Sequence, residues 1–217
     1  MSDTFSHRDY DGDEYIFGTC YIKDNSLPMW IPIEKNVTKV VRSMLITQGF
    51  NEYNFHELKK YNVPSVIILR DPIERWISGL VEYLLLVYLD TKQSLNNITR
   101  HNITPNIVFE QIAFDAHTFP QSWFLKGLGP QRDFVWFDEK EKSQLIETVS
   151  KYFSQKGIPN NWQAKDYPYI IDKDIVQKQQ LTQQYTDLLQ NNPDLLQKVK
   201  NFYAQDYELI NSTEFYT

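Results

Sequence analysis

The stretch Val66-Ile67-Ile68-Leu69-Arg70-Asp71-Pro72-Ile73-Glu74-Arg75 passes from an apolar run directly into the signals of a helix start. Between Pro64 and Arg70 the run has the length of a strand buried on both faces. Asp71 then suits the N-cap, Pro72 the first helical position, and Glu74 the place from which a capping-box side chain reaches back. Arg75 reads as an i to i+4 partner of Asp71. Ile73, Trp76, Ile77, Leu80, Val81, Leu84 and Tyr88 keep helical spacing beyond it. Strand, then capped helix, is the unit from which the rest is read.

Working outward, residues 15–21 and 29–33 have the β-branched and aromatic content of strands. A loop at 34–37 follows, and from Thr38 the positions Val40, Val41, Met44 and Leu45 share one helical face, with Gly49 as a stop. Downstream, an Asn-rich loop at 94–101 precedes a helix opening at Thr104-Pro105. Residues 133–137 read as a strand, 140–152 as a helix, and 172–210 as two helices broken at Asn192-Pro193. Strands alternating with helices indicate an α/β domain with a central, mainly parallel sheet.

The 217 residues are expected to form one domain, with residues 1–14 as a flexible acidic tail. Hydrophobic residues at 41% and aromatics at 15% are a packed protein's composition, not a disordered one. A net charge of −6 argues against a general nucleic-acid binder, so an anionic ligand must be held by local cations. The single cysteine, Cys20, excludes an internal disulfide, and no Cys and His cluster has metal-site spacing. The Asp9, Asp11, Gly12, Asp13, Glu14 cluster lacks the glycine and glutamate positions of a calcium loop. With no signal core and no long apolar run, a cytoplasmic protein without a membrane partner is expected, its sequons at Asn36, Asn97, Asn102 and Asn211 unglycosylated.

Ligands of parallel sheets bind beyond the carboxyl ends of the strands, where helix N-termini converge. Two junctions qualify. In Ile31-Pro32-Ile33-Glu34-Lys35-Asn36-Val37-Thr38-Lys39 a lysine and a hydroxyl precede a helix, the parts needed to cradle a phosphate, but without the glycines of ATP and GTP loops. The other junction is Arg70, a cation at the sheet's carboxyl edge, with Ser78 on the following helix. Lys35 and Arg70 are 35 positions apart, about one strand-helix-strand unit. Two such sites fit a nucleotide charged at its 5′ end and on its ribose better than a triphosphate with magnesium.

Arg70-Asp71-Pro72-Ile73-Glu74-Arg75-Trp76-Ile77-Ser78 resembles the 3′-phosphate motif of sulfotransferases that use 3′-phosphoadenosine 5′-phosphosulfate (PAPS). Among these, the carbohydrate O-sulfotransferases and their bacterial and phage relatives are most similar. Residues 33–39 are similar to that family's 5′-phosphosulfate loop, with Glu34 where proline is usual and Lys39 where a hydroxyl is usual. Asp115-Ala116-His117-Thr118-Phe119-Pro120-Gln121 resembles its His-Trp-x-Pro-Gln segment, and residues 203–210 its final helix.

The resemblance implies a P-loop-NTPase-like three-layer domain that moves a sulfuryl group from PAPS to an acceptor hydroxyl on a glycan or small molecule, releasing the 3′,5′-bisphosphate PAP, without a metal. Lys35, Asn36, Val37, Thr38 and Lys39, together with Arg70 and Ser78, would bind the donor. Lys35 would also be the catalytic cation. His117 is the first candidate for the base, His56 the second with Glu57 beside it, and Gln121 a candidate acceptor contact. Lys126, Arg132, Trp123, Trp136 and Trp162 are weaker candidates for the acceptor side. A non-catalytic binding relative and a nucleotide kinase with a divergent loop remain the alternatives.

Overall fold

The computed structural model describes residues 19–24, 28–54, 64–90, 106–126, 128–138, 140, 142–158 and 175–216. The acidic tail, the Asn-rich loop, the Thr104-Pro105 opening, His56, Glu57 and Trp162 lie outside these. Six strands form one sheet in the order β3-β1-β2-β4-β5-β6: β1 Thr19–Ile22, β2 Met29–Ile31, β3 Asn51–Asn54, β4 Ser65–Arg70, β5 Arg132–Phe137 and β6 Phe215–Tyr216. β2, β4, β5 and β6 run parallel, while β1 is antiparallel to both β2 and β3. The sheet is mainly parallel, as the alternation of elements implied.

β3 and β6 are additions to the expected strands. Neither Asn-Glu-Tyr-Asn nor Phe-Tyr carries enough apolar periodicity to announce a strand. β3 also changes the connection between the two junctions. From β2 the chain runs through α1 (Thr38–Thr47) to the far edge of the sheet, makes β3, and returns to β4 beside β2.

Alternate side chains separate the two faces of the sheet. Trp30, Val66, Ile68, Val135 and Phe137 pack with α1 and with α4 (Lys142–Gln155). Ile31, Ile67 and Leu69 pack on the other face, against Phe119, Phe124, Leu125 and Leu128. By the same alternation, Arg70 belongs to the α1 face. Helices therefore cover both sides, which explains why β4 is buried along its whole length.

The helix α2 (Pro72–Asp90) begins where the sequence placed it, with the Glu74 N–H donating to Asp71 Oδ1 at 2.9 Å. The Glu74 carboxylate turns toward Arg70 Nε, at 3.7 Å, instead of closing a capping box. Buried Trp76, Leu80, Val81 and Leu84 carry α2 onto α5 (Ile175–Gln190) and α6 (Pro193–Phe202) through Tyr185, Leu189, Leu195 and Val199. A short α3 (Asn106–Glu110) adds Val108.

The tail forms three helices instead of two. A second break at Tyr203 (φ −98°, ψ 20°) starts α7 (Ala204–Ser212). Tyr203 is fully buried and its hydroxyl donates to the Thr118 carbonyl, while Asp206 on α7 accepts from the Gln121 and Ser122 N–H groups, each at 2.8 Å. The break therefore lets two consecutive turns clamp the segment before the 3₁₀ turn Gln121–Leu125. Among the described residues no helix is long and apolar enough to cross a membrane.

Candidate functional site

The loop between β2 and α1 holds an unusual backbone. Lys35 (φ 69°) and Val37 (φ 60°) both lie in the left-handed region, although neither is glycine. For a β-branched residue this conformation costs on the order of 1–2 kcal/mol, so the surrounding contacts must fix it. Val37 is the N-cap of α1 and offers no side-chain acceptor. The leading N–H groups of the helix keep their partial positive charge at this end, while the Asn36 N–H is turned back onto the Ile33 carbonyl at 3.1 Å.

Each side chain of this loop has a different role. Asn36 is 1% exposed, and its Nδ2 donates to the Ile68 carbonyl and to Gln121 Oε1, both at 2.7 Å. Its Oδ1 is buried and has no partner among the described residues, the kind of acceptor that a bound hydroxyl or N–H satisfies. The Thr38 hydroxyl donates back to the Ile33 carbonyl at 2.9 Å, so its proton serves the loop rather than pointing outward. Lys39 is exposed.

Arg70 meets this loop directly. β2 and β4 are neighbours, and Arg70 Nη1 donates to the Lys35 carbonyl at 3.2 Å, while its guanidinium lies 5.2 Å from the Phe137 ring. Only 4% of the residue is exposed. Burial pushes its guanidinium pKa down, against the pull of Glu74, and such a desolvated cation gains from a phosphate more than a hydrated one does.

Ser78 and Glu82 follow Glu74 at successive turns of α2, so the three share one helical face. Glu74 approaches Arg70, and Glu82 Oε2 lies 3.3 Å from Lys35 Nζ. Ser78 thus stands midway between the carboxylates facing the two cations. Lys178 Nζ on α5 reaches the same Glu82 oxygen at 2.9 Å. Burial pushes the Glu82 carboxyl pKa up, but the two lysines outweigh it and hold the group at about 2. Burial also lowers that of Lys35, opposed by Glu82.

Arg75 is the main residue that the sequence reading misassigned. It does not pair with Asp71 through its side chain; it is fully buried, and its guanidinium spans two loops. Nε donates to the Glu34 carbonyl at 2.9 Å, Nη2 to Ala116 at 3.2 Å and Nη1 to the Phe119 carbonyl. The Lys35 loop and the His117 segment are therefore tied by one side chain. Helical periodicity did signal this, since position 75 falls beside Trp76 on the buried side of α2, but its charge argued for the surface.

Within the second loop, His117 Nδ1 lies 2.9 Å from Asp115 Oδ2, and the His117 N–H donates to Asp115 Oδ1 at the same distance. Both side chains are about one-quarter exposed, at 23% and 25%. Thr118, fully buried, accepts the Phe114 and Asp115 N–H groups at its hydroxyl and locks the turn. The loop lies against α2 at Gly79, where an added Cβ would stand 2.0 Å from the His117 carbonyl oxygen.

Gln121 does not reach the protein surface. It is fully buried and its amide is engaged at both ends, with Asn36 and with the Arg70 backbone. The geometry thus reassigns it from an acceptor contact to a support beneath the loop. Trp123 packs between Phe119 and Phe202, and Trp136 against Phe215, as core residues do. Arg132 closes its own turn on the Gly129 and Leu128 carbonyls, and Lys126 lies over the Trp123 ring. Among the described residues no group of three His, Cys, Asp or Glu side chains is placed to hold a metal ion.

The uncharacterized protein C18B2.2 of Caenorhabditis elegans is 24% identical over 184 residues, which cover 70% of this chain and 50% of the relative. The chain thus spans about half the length of that relative. No solved structure matches significantly. The profile described as "Sulfotransferase family" matches residues 20–211, from β1 to the end of α7 and through every loop just described, and the chain belongs to the sulfotransferase family.

Proposed function

We propose that the chain uses PAPS as donor and transfers its sulfuryl group to the hydroxyl of a glycan or other small hydroxylated acceptor, within one P-loop-like three-layer domain. The observation that carries this reading is the hydrogen bond from Arg70 to the Lys35 carbonyl, which puts the two phosphate-type junctions side by side. One nucleotide can then be held at both ends. The α1 amides and Lys35 take the 5′-phosphosulfate; Arg70 and Ser78 take the 3′-phosphate, with the half-exposed Glu74 carboxylate turning aside.

In the transfer, the acceptor oxygen bonds to sulfur as the bond from sulfur to the 5′-phosphate oxygen breaks, and PAP leaves. Lys35 balances the charge growing on that oxygen. His117 takes the acceptor's proton at Nε2, while Asp115 holds Nδ1 and stabilises the imidazolium that forms. Arg75 keeps base and donor loop in register, which is a matter of positioning.

Two measurements test the proposal. PAP binding, followed by calorimetry, should weaken by about ten- to hundredfold in Arg70→Ala, the worth of one charge-assisted contact. Labelled sulfate from PAPS should appear on members of a glycan and alcohol panel. Stabilisation by ATP with magnesium and not by PAP would overturn the donor assignment, and PAP binding without transfer to any acceptor would favour a binding protein.

A further inference from the structure

Glu82 and Lys178 belong to neither phosphate-type junction, yet they bear directly on Lys35. Glu82 Oε2 receives Lys35 Nζ at 3.3 Å and Lys178 Nζ at 2.9 Å, and the three side chains are only 20%, 16% and 26% exposed for Lys35, Glu82 and Lys178. A carboxylate facing one lysine in such a setting forms a closed, neutral pair. That pair would oppose an incoming 5′-phosphosulfate, because the anion must either displace the carboxylate or sit beside it. A second ammonium on the same oxygen changes the balance. The single carboxylate charge is then shared between two ammonium groups, and the carboxylate makes its shorter contact with the lysine of α5, not with that of the donor loop.

We infer that Lys178 is a positioning residue for donor binding: it holds and neutralises Glu82, so that Lys35 keeps its charge for the 5′ end of the nucleotide. The inference rests on the PAPS reading above. It also gives the α2–α5 packing a role in the site, since Tyr185 and Leu189 seat α5 against α2 and thereby place Lys178 beside Glu82. Lys39, the other cation that acts on Lys35, is exposed and contributes through solvent.

The signs of three substitutions distinguish this role from a merely structural one. In calorimetric titration of the full chain with PAP at low salt, Lys178→Met should weaken binding on the order of tenfold. Glu82→Gln should tighten it by a similar factor, although it removes two ion pairs; a structural role for Glu82 gives the opposite sign. The double variant Lys178→Met/Glu82→Gln should return to within about threefold of the wild type, and Lys178→Arg should retain wild-type affinity. Unchanged affinity in Lys178→Met, or weaker binding in Glu82→Gln with its melting curve still cooperative, would overturn this inference alone. No binding of PAP by the wild-type chain would overturn the donor reading and this inference with it.

Discussion

The side-chain amide of Gln121 pairs with the backbone of Arg70 as a neighbouring strand would: its oxygen accepts the Arg70 N–H at 3.0 Å and its nitrogen donates to the Arg70 carbonyl at 2.8 Å. The same oxygen receives Asn36 Nδ2. One buried side chain therefore finishes β4, fixes Arg70, for which we propose the 3′-phosphate, and steadies the strained Lys35 loop, for which we propose the 5′ end. Gln121→Leu keeps the volume but strands three buried polar groups, at about 1–3 kcal/mol each when nothing replaces the partner. Urea unfolding should show a loss of several kcal/mol. Among molecules that remain folded, PAP affinity should fall as well. A loss below about 1 kcal/mol would mean that water fills the gap.

Gly79→Ala should also destabilise, against the usual gain of close to 1 kcal/mol for that exchange inside a helix. The new Cβ would stand 2.0 Å from the His117 carbonyl oxygen, a backbone atom that cannot rotate away. Helix and loop must separate, and overpacking of this kind costs about 1–3 kcal/mol. Because the displaced segment carries His117, turnover should drop more than PAP affinity. A melting temperature equal to or above that of the wild type would refute the close approach.

How far these features were legible in the sequence depends on which force decides them. The β4–α2 junction was legible because local chemistry determines it: an apolar run, a capping aspartate and a proline all act within a few residues. Arg70 was legible as a cation at the strand's end. The partners of Arg75 and Gln121 were not, because Glu34, Ala116, Phe119, Asn36 and Arg70 come together with them only when the sheet is assembled, although helical position already put Arg75 on the buried side of α2. β3 and the break at Tyr203 escaped for the same reason. β3 is held by its ladder to β1 and not by its own periodicity, and Tyr203 interrupts a helical pattern to reach Thr118.

If His117 is the base, His117→Ala should lower kcat by about 10²- to 10⁴-fold while leaving PAP affinity within a factor of two, since general-base contributions fall in that range. Asp115→Asn keeps the shape of the pair and removes its charge, so it should lower kcat by a smaller factor with little change in the acceptor's KM. Steady-state transfer assays on both variants decide the matter. Wild-type kcat in His117→Ala would send the search to residues 55–63, which contain His56 and Glu57.

Acid should act on the fold through Glu82. Its carboxyl ionises at about 2 in the folded chain, below the ordinary 4.5. The folded state therefore binds its proton less readily than the unfolded state does, and the stabilisation is complete above pH 4.5. As the pH falls from 4.5 toward 2, the unfolded chain takes up the proton first and the contribution fades. A difference of this size is worth on the order of 2–3 kcal/mol. The wild type should thus lose melting temperature across that window faster than Glu82→Gln, and the gap between the two, open at pH 7, should close near pH 2. PAP should narrow that gap at neutral pH. Glu82→Gln leaves Lys35 and Lys178 facing each other without a counter-ion, so a bound bisphosphate should raise its melting temperature by more degrees than it raises that of the wild type. Parallel melting curves for the two proteins at every pH would show that the carboxylate is not shared by the lysines in solution.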